Sequence, residues 1–162
     1  MSEEPTGWSP LNGLLEAVAL GFIVANGAWL ASHYADLPDK IPTHFGLSGA
    51  PDQWGSKATL WILFGVALFI YLLLTVVSRF PQAFNFPVPV TPQNRERLVH
   101  LAQEMMRWMK VELLGLFTWI EWQSVQVALG HAQGLGPTFL GAMLGLIFGT
   151  IALYIGRMFW AR

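Results

Sequence analysis

The side chains best suited to bind a ligand or a metal ion lie in or beside the polar segment 37–57, LPDKIPTHFGLSGAPDQWGSK. The candidates are the imidazoles and carboxylates of His33, Asp36, Asp39, His44 and Asp52. Two histidines and a carboxylate can form a zinc site, but the spacing here matches no metal-binding motif. We therefore expect no metal and no other cofactor. Two interpretations remain: either His44 and the aspartates stabilise an ordered loop by hydrogen bonding, or the loop recognises a ligand or partner.

A second set of polar side chains interrupts apolar stretches, and its members are Glu16, Asn26, Glu112, Glu121, Gln123 and Gln126. A carboxylate at membrane depth is costly and is a functional hypothesis by default. On a helical wheel, Gln123 and Gln126 fall within about 40° of Glu112, whereas Glu121 faces the opposite way. Each carboxylate then needs a partner on another helix, and Glu16 and Asn26 are candidates.

These polar residues have two further interpretations. Glu121, Gln123 and Gln126 would hold a helix bundle together by interhelical hydrogen bonds, or Glu121 would belong to a proton or ion relay. Glu112 lies close to Arg107 and Lys110 in sequence, so we expect it to snorkel toward the cytoplasmic headgroups.

Recognisable catalytic motifs are missing from the sequence. There is no cysteine, no glycine-rich phosphate loop, no HExxH and no serine nucleophile elbow. We therefore expect a non-catalytic protein. The formal net charge of −1 also gives no indication of a nucleic-acid partner.

The apolar composition predicts a membrane protein. Of the 162 residues 54% are hydrophobic and 12% charged, about half the charged fraction of a soluble domain. Four apolar runs, 11–32, 58–78, 108–129 and 138–158, are each long enough to cross about 30 Å of hydrocarbon. We predict one all-α domain over 1–162, a bundle of four transmembrane helices. The third run is the weakest by hydropathy.

The distribution of basic residues predicts the orientation. Seven basic residues lie on the side that holds both termini and the connection between the second and third runs: Arg79, Arg95, Arg97, Arg107, Lys110, Arg157 and Arg162. Only Lys40 and Lys57 lie on the side of the loop 33–57. The positive-inside rule then places both termini in the cytoplasm and the loop 33–57 outside. We expect a multi-pass protein of the bacterial cytoplasmic (inner) membrane.

Local signals predict the connecting segments. Proline and glycine in the outer loop favour an ordered structure with one or two short β-strands. The four prolines of 80–92 predict an extended stretch, followed by an amphipathic helix that starts with Thr91 as N-cap and Pro92 as first residue and continues into the third span.

Gly141, Gly145 and Gly149 form a smooth face on the last predicted helix. Small residues at this spacing let another helix approach closely. The partner would be the second span through Gly65, or a second protomer.

The polar segment resembles the signature of the bacterial membrane proteins with domain of unknown function 1648 (DUF1648). The matching positions are Leu37, Pro38, Ile41, Pro42, His44, Phe45, Gly49, Asp52, Trp54, Gly55, Ser56 and Lys57. The resemblance extends over roughly residues 22 to 129. A toxin-immunity protein of a sporulation-delay system carries the same domain joined to a further membrane region.

The resemblance marks His44 and its loop as a signature and assigns them no role. Our leading hypothesis is that the outer loop recognises a peptide, a lipid or a protein partner, in a role like toxin immunity or envelope stress. One alternative is an accessory subunit of a larger membrane complex, or a homo-oligomer, that docks through the glycine face. Another is a small transporter coupled to ions or protons through Glu121.

Overall fold

The computed structural model describes residues 9–161, which form four long helices and one β-hairpin. In chain order the elements are α1 Pro10–His33, β1 Lys40–Phe45, β2 Pro51–Ser56, α2 Thr59–Val77, α3 Arg95–Ala128 and α4 Phe139–Phe159. Short 3-10 helices occupy Tyr34–Asp36 and Pro81–Ala83. The expected strands of the loop between the first two helices are confirmed as this hairpin.

Residues just before the helices determine where they begin. The Ser9 hydroxyl accepts the backbone N–H of Asn12 at 3.2 Å, and Pro10 occupies the first turn of α1. The predicted start of α3 at Pro92 is wrong, since the helix begins at Arg95. Thr91 caps a separate turn instead: its hydroxyl accepts the N–H of Asn94, whose side-chain oxygen accepts the N–H of Thr91.

Three of the long helices have the length and apolarity to cross a membrane: Pro10–Asp36, counted with its 3-10 extension, Thr59–Val77 and Phe139–Phe159. The fourth, α3, does not meet that standard, and a fourth span stays a prediction. α3 is less apolar than the other three helices because of its position: it packs against α1, α2, α4 and β1. Lys110, Glu112 and Glu121 bond to side chains of other helices, so α3 does not need an apolar surface all round.

Successive clusters of buried residues follow the bundle from one end to the other. Leu30, Leu60 and Val125 pack beside the hairpin, at what we call the hairpin end. Ala19, Ala67 and Leu114 meet in the middle. At the opposite end, α3 packs on α4 through a cluster that contains Val88, Leu98, Leu101, Ala102, Tyr154 and Met158.

The connection between α2 and α3 is irregular apart from one 3-10 turn at Pro81–Ala83. Phe84 and Phe86 pack against the cluster at the opposite end, whereas Phe80 is half-exposed. The first turns of α3 continue into the rest of the helix without a break. The predicted amphipathic helix is therefore confirmed, and the cluster residues of its apolar face are covered by α4 and Val88.

Candidate functional site

The hairpin is an antiparallel pair held against the bundle by its first strand. Ile41 pairs with Gly55, and Pro42 pairs with Trp54. Ile41 is buried with Leu30, Leu60 and Val125 at the hairpin end, so β1 is the inner strand. Trp54 on β2 is 52% exposed.

Lys57 ties together the two ends of the hairpin. Its ammonium donates to the Leu37 carbonyl at 2.9 Å and lies 3.3 Å from the Asp39 carboxylate. It also lies 5.2 Å from the centre of the Tyr34 ring. Pro38, between two of these contacts, therefore belongs to a segment fixed on both sides, which explains why the loop is ordered.

His44 and Asp52 come together across the hairpin. Nδ1 of His44 lies 2.6 Å from Oδ1 of Asp52, and both side chains are more than half exposed. A carboxylate only accepts hydrogen bonds, so Nδ1 carries the proton. Nε2 of His44 and the second oxygen of Asp52 can then each accept a hydrogen bond from a donor outside.

A cleft of about 590 Å³ lies beside this pair. We call it the hairpin cleft, and its lining includes His44, Phe45, Leu47, Asp52, Ile120, Leu135, Phe139 and Leu140. The walls are apolar side chains from the hairpin, α3, the α3–α4 turn and α4. The arrangement suits an amphipathic ligand, with its polar part at His44 and Asp52 and its apolar part against the walls.

The tip of the hairpin is bound directly to the turn between α3 and α4. The backbone N–H of Leu135 donates to the Gly49 carbonyl at 2.7 Å. The side chain of Gln123, on the last turns of α3, donates to the Gly134 carbonyl at 2.9 Å and so holds the turn against α3. This contact joins the two halves of the chain over the hairpin cleft.

The other candidate ligands near the hairpin do not join His44. His33 stacks on Trp29 with ring centroids 5.2 Å apart and bonds to the Ser32 hydroxyl. Within residues 9–161, no three His, Asp or Glu side chains converge as a metal site would require. Asp36 and Asp39 are exposed.

Glu121 makes an interhelical hydrogen bond with Asn26, one of the two candidate partners that the sequence offered on the first helix. The Asn26 amide donates to a Glu121 carboxylate oxygen, and both residues are buried. Gln123 and Gln126 differ from the prediction, because their side chains bond to the α3–α4 turn and not to another helix. Gln126 lies 3.3 Å from the imidazole of His131.

Glu16 pairs with a buried lysine. The Lys110 ammonium lies 2.5 and 2.6 Å from the two Glu16 oxygens and 3.2 Å from the Thr75 hydroxyl. Lys110 is only 1% exposed. The ion pair therefore joins α1, α2 and α3. Lys110 is buried between helices, so it is not one of the surface cations on which the predicted orientation rests.

Glu112 is bound by α4. The Thr150 hydroxyl donates to one Glu112 oxygen at 2.5 Å. Thr150 stands about halfway along α4, so Glu112 is held by a helix partner; its position near the headgroups stays a prediction. Sequence reasoning missed Thr150 because a hydroxyl inside an apolar helix gives no signal of its partner.

The glycine face of α4 has open space beside it. A Cβ placed on Gly141, Gly145 or Gly149 would meet no atom within 4 Å, and the same holds for Gly65. Within the described residues these glycines therefore have no helix packed onto them. The expected close approach of α2 through Gly65 is not made.

Comparisons with known proteins agree with the segment that the sequence singled out. Residues 20–70 match the profile of a family described as a domain of unknown function, DUF1648. An uncharacterised protein of the archaeon Archaeoglobus fulgidus is 30% identical over 131 residues, which cover 75% of this chain and 68% of that protein. No solved structure matches the chain.

Proposed function

Because the chain belongs to the DUF1648 family, whose matched stretch contains the whole hairpin, we propose that the hairpin cleft recognises an amphipathic lipid. The observation that carries this proposal is the His44–Asp52 pair beside an apolar cleft. The role is recognition without catalysis, at the surface of a membrane.

The chemistry of the cleft supports a lipid ligand. Phe45, Leu135, Phe139 and Leu140 offer apolar surface, and burying apolar surface contributes roughly 25 cal/mol per Å². The half-exposed imidazole and carboxylate offer two hydrogen-bond acceptors to the donor groups of a headgroup, such as hydroxyls or an ammonium. A lipid chain reaches this cleft from the bilayer without crossing water, because α4 is one of the helices able to span the membrane.

Two other ligands would use the same cleft. An exported peptide, as in toxin immunity, would insert an apolar side chain between the walls. A protein partner would cover the exposed Leu47 and Trp54. The experiment below distinguishes these from a lipid.

Replacing His44 with alanine is expected to abolish lipid retention. The full chain, purified in a mild non-ionic detergent, should carry a stoichiometric lipid in native mass spectrometry, and H44A should lose it because the headgroup contact is gone. The matched control is His33→Ala, which removes an exposed imidazole at the same end of the bundle, outside the cleft lining. H33A should keep the lipid.

The lipid proposal is refuted if the wild type carries no lipid, or if H44A and H33A carry it equally. Retention of a peptide would instead support the immunity-like role. A stoichiometric second protein chain would support an accessory subunit. That second candidate is favoured by the open glycine face of α4, onto which another helix could pack.

We also propose that the hairpin lies outside the cytoplasmic membrane, with both termini in the cytoplasm. The bias in basic residues supports this orientation, and so do Tyr34, Trp54 and Trp61 around the hairpin, where an aromatic belt would lie. A single cysteine at the exposed Ser48 should react with an impermeant thiol reagent in intact cells, since the chain contains no other thiol. Labelling that requires cell lysis would reverse the orientation.

A further inference from the structure

A second cavity of about 380 Å³ lies between α1, α3 and α4. We call it the inner cavity. Its lining includes Phe22 from α1, Gly115 and Leu116 from α3, and Phe139, Ala142 and Leu146 from α4. It is open on the side of α4, where Ala142 and Leu146 are exposed, and Phe139 also lines the hairpin cleft. Among the described residues that line it, Glu112 alone is ionisable. A single carboxylate therefore stands in an otherwise apolar cavity.

The inner cavity runs beside the first part of α4, from Phe139 to Leu146, and Glu112 binds Thr150 one turn further along the helix. Thr150, which binds Glu112, is about 16 Å from the start of α4 at 1.5 Å per residue. The hydrocarbon core of a bilayer is about 30 Å thick. Because α4 can span that thickness and Thr150 lies near its middle, the Glu112 carboxylate meets α4 inside the span, where an ionisable group is costly and marks a functional site.

Glu112 differs from two other acidic residues of the bundle in its partners. Glu16 is paired with Lys110, and Glu104 lies 3.5 Å from Arg157. One Glu112 oxygen accepts from the neutral Thr150, and within residues 9–161 the other is buried without a hydrogen-bond partner. A buried carboxylate is stabilised by a cation, and no basic side chain lines the inner cavity.

We propose that the inner cavity binds a lipophilic cation: an apolar molecule with a single positive charge that pairs with Glu112. The apolar walls select the body of the ligand, and the carboxylate selects its charge. A neutral lipid chain would fill the same volume but would leave the Glu112 oxygen without a partner. The two cavities share Phe139, but this proposal does not use the His44–Asp52 pair.

Equilibrium dialysis of the purified full chain in non-ionic detergent tests the proposal. The probes are tetraphenylphosphonium and the smaller benzyltrimethylammonium, so that at least one matches the volume of the cavity. Glu112→Gln should weaken binding at least about tenfold, which corresponds to about 1.4 kcal/mol. The glutamine keeps an oxygen for the Thr150 hydroxyl but removes the charge.

Three controls identify the site. Glu121→Gln neutralises the other buried carboxylate of α3 and should leave the affinity unchanged within a factor of about two. Ala142→Phe should fill the inner cavity and abolish binding with Glu112 intact. His44→Ala should have no effect, which separates this site from the hairpin cleft. Size-exclusion profiles show whether each variant is folded.

The proposal is overturned if neither cation binds the wild type, or if E112Q binds them as tightly as the wild type does. It is also overturned if triphenylphosphine, an apolar molecule without charge, displaces tetraphenylphosphonium as well as benzyltrimethylammonium does. In that case the inner cavity accepts apolar molecules regardless of charge. Unchanged binding to A142F would place the site elsewhere.

Discussion

Replacing Lys110 with methionine is expected to lower the free energy of unfolding by about 3–5 kcal/mol, the usual effect of removing one partner of a buried ion pair. The Lys110 ammonium contacts both Glu16 oxygens and the Thr75 hydroxyl. Methionine fills a similar volume but leaves the Glu16 carboxylate with only the more distant Arg107, whose Nε lies 3.8 Å away. Thermal unfolding in detergent should show the loss.

The double variant Glu16→Gln/Lys110→Met separates charge from packing. It removes both charges, so it should recover most of the stability that the single variant loses. Lys40→Met is the control for losing a lysine, because Lys40 is exposed, and it should change the unfolding midpoint little. If K110M is no less stable than the double variant, the ion pair does not stabilise the bundle.

The hairpin and three of the helices could be predicted because their signals are local. The run that became α2 is uninterrupted by charge, and α4 has no charged residue before Arg157. In the outer loop, proline and glycine exclude a helix and favour short strands. The Asn26–Glu121 bond was also predictable, because a buried carboxylate and a buried amide in different apolar runs each need a partner.

The partners of Glu16, Glu112 and the hairpin tip could not be predicted, because they depend on how distant segments pack. Lys110 looked like a cytoplasmic residue next to a span, yet Leu114 and Glu121 follow it at four and eleven residues and so share its helical face. That spacing was a signal that Lys110 is buried. No comparable signal places Leu135 beside Gly49, since the α3–α4 turn gives no pattern that points to the hairpin.

The contact between Leu135 and Gly49 can be broken by one substitution. Gly49→Ala is expected to lift the hairpin tip away from the α3–α4 turn. A Cβ on Gly49 would lie 2.2 Å from the Gly136 carbonyl oxygen, which is part of the backbone and cannot move aside cheaply. Gly49 also has a φ of +77°, where a residue other than glycine costs of order 1–3 kcal/mol. The hairpin cleft would lose the wall that the turn provides.

Gly130→Ala is the matched control. Gly130 has the same φ of +77°, but a Cβ there would meet no atom within 4 Å. Both variants should lower the unfolding midpoint through backbone strain, and G49A should lower it further through the collision with Gly136. Hydrogen exchange should increase in residues 130–137 of G49A, because the Leu135 N–H loses its acceptor. Native mass spectrometry should show that G49A has lost the bound lipid. If the two variants have equal midpoints and equal lipid content, the tip does not close the cleft, and the ligand is held by the His44–Asp52 pair alone.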